Sequence, residues 1–80
     1  MPTVFTQDGV DVMIYTRDHL PAHAHVWKAG TQVLINLGDE ETRVSVRENK
    51  GMSTKNILKV LLIVAAEQTY LLEKWREIHG

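Results

Sequence analysis

The chain has 80 residues, with 9 Lys and Arg against 10 Asp and Glu for a net charge of −1, and it contains no cysteine. A chain of this length makes one domain, residues 1–80, whose core is marginal by surface-to-volume scaling, and no disulfide or thiolate metal site can reinforce it. The charge balance excludes a global basic field for nonspecific nucleic-acid binding, and the lack of thiols fits a reducing, cytoplasmic setting. The longest apolar run, Val60 to Ala66, falls well short of the roughly 20 residues that a membrane span needs. The stretch Met1 to Asp8 has no basic region followed by an apolar one, so neither a membrane segment nor a signal peptide is expected.

In chain order, Pro2 reads as the start of an edge strand. An amino-terminal proline can also serve as a catalytic base, but no other residue of such an enzyme is recognisable. Thr3 to Thr6 and Val10 to Arg17 are two apolar runs separated by Gln7-Asp8-Gly9. Asp-Gly signals a hairpin, because such turns need positive φ. In the second run Val10, Val12, Ile14 and Thr16 alternate with polar or larger residues, the period of a strand. Pro21 then blocks pairing, and a third strand is expected over Ala22 to Lys28. Ala29-Gly30 is the next turn and Thr31 to Leu37 the fourth strand. Gly38-Asp39-Glu40-Glu41 turns again into a fifth strand, Thr42 to Arg47, with Val44 and Val46 on one face.

The period changes after Glu48 to Ser53. Ser53 is an N-cap candidate, and Ile57, Leu61, Val64, Leu71, Trp75 and Ile78 form a helical stripe that Gln68 interrupts. One helix over Thr54 to His79 would be roughly 39 Å long, more than a sheet this small needs, so a bend near Glu67-Gln68 or a projecting half is expected. The fold class is therefore α+β, an antiparallel sheet of four to five short strands followed by one long C-terminal helix. Leu58, Leu62 and Ala65 make a second apolar stripe on its first half. Either the sheet curls to bury both stripes, or these three residues form a surface for self-association or a protein partner. The small area of five short strands favours the partner surface.

The densest chemistry lies in Asp18-His19-Leu20-Pro21-Ala22-His23-Ala24-His25-Val26, which holds three of the four histidines. On a strand His23 and His25 share one face and can reach one ion. His19 is a candidate third ligand and Asp18 a fourth ligand or a carboxylate partner, although both belong to the preceding turn. No cofactor is firmly implied, but neutral imidazoles suit a divalent transition metal. The alternatives are half-exposed structural histidines, general acid–base chemistry of a ribonuclease type by His19, His23 and His25, and a pH-responsive surface. Arg17, Lys28, Arg43 or Arg47 would stabilise charge in the ribonuclease reading. Arg43, Arg47, Lys50 and Lys55 are the candidates for a local nucleic-acid patch. Trp75 belongs to the core stripe and Trp27 shields the histidine face.

The whole chain resembles a family of small uncharacterised bacterial domains, numbered in words four thousand one hundred and sixty. The resemblance is carried by Met1-Pro2-Thr3-Val4, the DHxPxHxHV motif over Asp18 to Val26, Asn49-Lys50-Gly51-Met52-Ser53 and Leu72-Glu73-Lys74-Trp75. The family pattern usually has a second proline where Ala22 stands. The resemblance implies a compact α+β domain. It also implies gene pairing with a second small protein, sometimes one linked to a helix-turn-helix, as in toxin–antitoxin modules. It brings no established reaction. The expected role is that of a small cytoplasmic protein acting through a protein partner or as a homo-oligomer, with an enzyme using the histidine cluster as the alternative.

Overall fold

A computed structural model describes residues 3–39 and 41–79. Five strands, β1 (Thr3–Gln7), β2 (Val10–Met13), β3 (His23–Lys28), β4 (Thr31–Asn36) and β5 (Ser45–Lys50), form one antiparallel sheet in the order β1-β2-β3-β4-β5. Every strand pairs with its sequence neighbours, the simplest path for a short chain. Two of the connections are two-residue turns in which both central residues have positive φ: Asp8 and Gly9 at 51° and 76°, Ala29 and Gly30 at 52° and 76°. These torsions match the right-handed twist of the flanking strands, which is why both short hairpins close at once.

Val12, Val26 and Val33 lie opposite one another across three strands, and Val10, Ala24 and Ile35 join them in the core. Helix α1 (Thr54–Ala66) contributes Val60, Ile63 and Val64 to the same cluster, and α2 (Gln68–His79) contributes Leu71, Leu72 and Trp75. Ile57, Leu61 and Ile78 pack against its margin. Of the predicted main stripe Val64, Leu71 and Trp75 are buried and Ile57, Leu61 and Ile78 only partly so, because the face that α1 turns to the sheet is centred on Val60, Ile63 and Val64. Ser53 caps α1, its hydroxyl accepting from the Asn56 N–H at 3.3 Å.

The structure corrects the expected boundaries in four places. The single helix is two, interrupted at Glu67, whose ψ of 15° leaves the helical region and whose N–H is shared between Ile63 O and Val64 O. A straight 26-residue rod of roughly 39 Å would exceed the longest dimension of the molecule, 33 Å. Second, β2 stops at Met13, not Arg17, because Tyr15 and Asp18 close a turn (Asp18 N–H to Tyr15 O, 3.1 Å). Third, β3 and β4 are each one residue shorter than expected, and β1 is one longer, taking in Gln7. Fourth, β5 starts three residues late. Thr42 is held in a loop by paired backbone bonds with Asp39, so the strand runs instead through Glu48, Asn49 and Lys50. Val44 is thus a loop residue against the core, while Val46 lies exposed in the strand. All six β5 residues are exposed, as a charged edge strand permits. The reading of Pro2 lies outside the described residues.

Candidate functional site

The Tyr15–Asp18 turn returns Asp18 towards β3 and fixes its carboxylate. Oδ2 accepts the Tyr15 N–H at 3.1 Å, and Oδ1 lies 3.0 Å from His25 Nε2 and 3.5 Å from His23 Nε2. His23 is anchored from behind, because the Pro21 carbonyl lies 2.9 Å from its Nδ1 and accepts the ring proton there. His25 is held between Asp18 and Gln32, whose side-chain nitrogen lies 3.0 Å from His25 Nδ1. If Gln32 donates to Nδ1, the neutral ring carries its proton on Nε2 and donates it to Asp18. Burial pushes the Asp18 carboxyl up, but the hydrogen bond with His25, the Tyr15 N–H and the two imidazoles outweigh it and hold the group below 3.8.

Aromatic rings enclose this cluster. Tyr15 meets His25 edge-on at 4.5 Å, and Trp75 approaches His23 at 5.6 Å. His79 stacks on Trp75 at 3.9 Å and sits between two carbonyls, Nδ1 3.1 Å from Trp75 O and Nε2 3.1 Å from Tyr15 O, of which a neutral ring donates to one. It thereby ties the end of α2 to the turn that carries Asp18. A cleft of about 440 Å³ lies alongside, lined by Asp18, His19, Leu20, Trp75, Arg76 and His79.

Of the predicted ligands, Asp18, His23 and His25 converge and His19 does not. His19 is exposed and borders the cleft. The turn carries Asp18 into the cluster as a carboxylate partner and leaves its neighbour His19 outside. Sequence reasoning missed Tyr15, Gln32 and His79. Gln32 had a usable signal, since it stands diagonally across the β3–β4 hairpin from His25. His79 had none, being 64 residues from its Tyr15 partner.

The second stripe is bare. Leu58 is 58 % and Leu62 74 % exposed, and Ala65 is exposed beside them. They line a groove of about 660 Å³ with Arg43, Val44, Leu61 and Gln68. On the other flank Leu58 and Leu62 border a second depression of about 720 Å³ with Lys28, Lys55 and Lys59. Of the nucleic-acid candidates, Arg43 and Lys55 lie on opposite flanks of this stripe, and Arg47 and Lys50 lie exposed on β5, Arg47 at the register shift between Val46 and Glu48. Trp27 is partly buried, facing Asp11 and Gln32 on the neighbouring strands.

The geometry defines a small α+β domain with an antiparallel sheet, two terminal helices and a partly buried histidine–aspartate cluster at the start of β3. The chain belongs to the family described as Domain of unknown function (DUF4160), whose profile matches residues 9–76. No curated protein and no solved structure matches the chain. Among the described residues no helix is long and apolar enough to cross a membrane.

Proposed function

We propose that this is a small cytoplasmic protein that acts by binding a second protein through the outer stripe of α1. The observation that carries this reading is the pair Leu58 and Leu62, one helical turn apart and both more than half exposed, on the rim of an apolar groove. Water contact with two adjacent leucines is unfavourable by roughly 1.5–3 kcal/mol per side chain that a partner could bury.

The charged residues lining the two flanks are Arg43, Lys28, Lys55 and Lys59, all basic. Two copies docked stripe to stripe would bring these cations together. The complementary occupant is a different chain that presents apolar side chains flanked by carboxylates. This agrees with the pairing that the family resemblance implies, in which the gene neighbours that of a second small protein, as in toxin–antitoxin modules.

The test is co-expression with the product of the adjacent gene, followed by mass measurement in solution by light scattering. A one-to-one complex that Leu62→Lys dissolves supports the reading. A homodimer that persists in Leu62→Lys, or two proteins that elute separately at high concentration, refutes it.

A further inference from the structure

We propose that Asp18, His23 and His25 form a binding site for a divalent first-row transition metal of the zinc type. It uses residues other than those of the α1 surface and does not depend on that reading. His23 is the decisive residue. Its Nδ1 faces the Pro21 carbonyl at 2.9 Å, and a carbonyl only accepts, so Nδ1 carries the ring proton. A neutral His23 therefore directs an unprotonated Nε2 at Asp18 Oδ1, acceptor against acceptor at 3.5 Å, on a side chain only 6 % exposed. Something cationic must lie between them. A backbone carbonyl holding Nδ1–H while Nε2 points inward is also how metal-binding imidazoles are oriented.

The spacing fits an ion. Bonds of about 2.0–2.1 Å at tetrahedral angles set ligand atoms roughly 3.3 Å apart. The two nitrogens lie 3.5 and 3.0 Å from Asp18 Oδ1, close to that span; the three ligand atoms spread over up to 4.8 Å, so the two rings must draw together for both to reach one ion. Two imidazoles and one carboxylate favour zinc, cobalt, nickel or iron over magnesium and calcium, which take oxygen donors.

His25 needs a change of tautomer to join. Its proton moves from Nε2 to Nδ1, and the Gln32 carboxamide, 3.0 Å away, turns over so that its oxygen accepts that proton. A carboxamide carries both a donor and an acceptor, so it serves either tautomer in place. Asp18 also lines the 440 Å³ cleft, which gives the cluster access to solvent on its carboxylate side.

The experiment is calorimetric titration of untagged protein with Zn²⁺, and with Co²⁺ followed by visible absorption and by imidazole ¹⁵N shifts. Expected are one equivalent bound, cobalt bands of a low-coordinate site, and shifts of Nε2 in both His23 and His25. Asp18→Asn and the size-preserving His23→Gln should each weaken binding at least tenfold while circular dichroism confirms the fold, and His19→Ala should leave it unchanged. Absence of saturable binding in the micromolar range overturns the proposal. So does binding that survives His23→Gln, or that His19→Ala removes. An imidazolium His23 whose Nε2 proton persists in excess Zn²⁺ also overturns it, because the cation between the rings is then a proton.

Discussion

Gln68 stands in the middle of an apolar helical stripe and yet is not an error in it. Its amide nitrogen donates towards Leu37 O at 2.7 Å, and towards Asp39 O and Thr42 O at 3.0 Å. One side chain thus gathers three carbonyls of the β4–β5 loop; those of Asp39 and Thr42 also accept each other's N–H, so the Leu37 carbonyl is the one that depends most on the amide. Gln68→Leu should cost about 1–3 kcal/mol in urea denaturation; a loss below about 0.5 kcal/mol would mean that water replaces the amide without penalty. The same loop depends on Asp39. The Glu41 N–H first, then Thr42, hold its carboxyl below 3.8. A depressed folded value means that the contribution is present at neutral pH and lost as pH falls through that value. Amide shifts of Glu41 and Thr42 should therefore titrate together below pH 3.8, and Asp39→Asn should abolish that titration. In the sequence Gln68 is visible only as an interruption, because its three acceptors lie 26 to 31 residues away. His23 and His25 were legible as a pair from strand alternation alone. That Asp18 joins them, and His19 does not, depends on the Tyr15–Asp18 turn.

At the scale of elements, turn chemistry carried the strand order. Asp8-Gly9 and Ala29-Gly30 mark the two tight hairpins, and Ala29 holds φ at 52° without the side chain that normally eases it. Ala29→Asn should therefore stabilise the protein by roughly 0.5–1 kcal/mol, read as a raised midpoint of thermal unfolding. Two glycines separate torsion from space. A Cβ at Gly30 meets nothing within 4 Å, whereas at Gly38 it would collide with the Thr42 carbonyl oxygen. Gly30→Ala should cost about 1–2 kcal/mol, the left-handed penalty alone. Gly38→Ala should cost clearly more, and equal losses would contradict the close approach of the β4–β5 loop to itself. The start of β5 was not legible, because Thr42 to Val44 has strand-like composition and is diverted by the bonds of Asp39 and Gln68. The break at Glu67 was foreshadowed by length, since a rod of roughly 39 Å has no sheet to lie on.

For the whole molecule, the question is which of two apolar helix stripes the sheet covers. Their residues were both visible in the sequence, but periodicity does not say how much surface five short strands can supply. The sheet covers one side only: Val64, Leu71 and Trp75 of the main stripe are buried, together with Val60 and Ile63, and Leu58 and Leu62 are left in water between basic flanks. Such exposed leucines contribute little to folding, so Leu62→Lys should shift stability by no more than about 0.5 kcal/mol. Reversing the flank with Lys55→Glu and Lys59→Glu should slow association with an acidic-rimmed partner and flatten its dependence on salt. The most direct measurement is a calorimetric titration of the adjacent-gene product into wild-type protein and into Leu58→Lys/Leu62→Lys, at equal and verified thermal stability. The α1 surface predicts an affinity at least tenfold weaker in the variant, and equal affinity in the two proteins would contradict it.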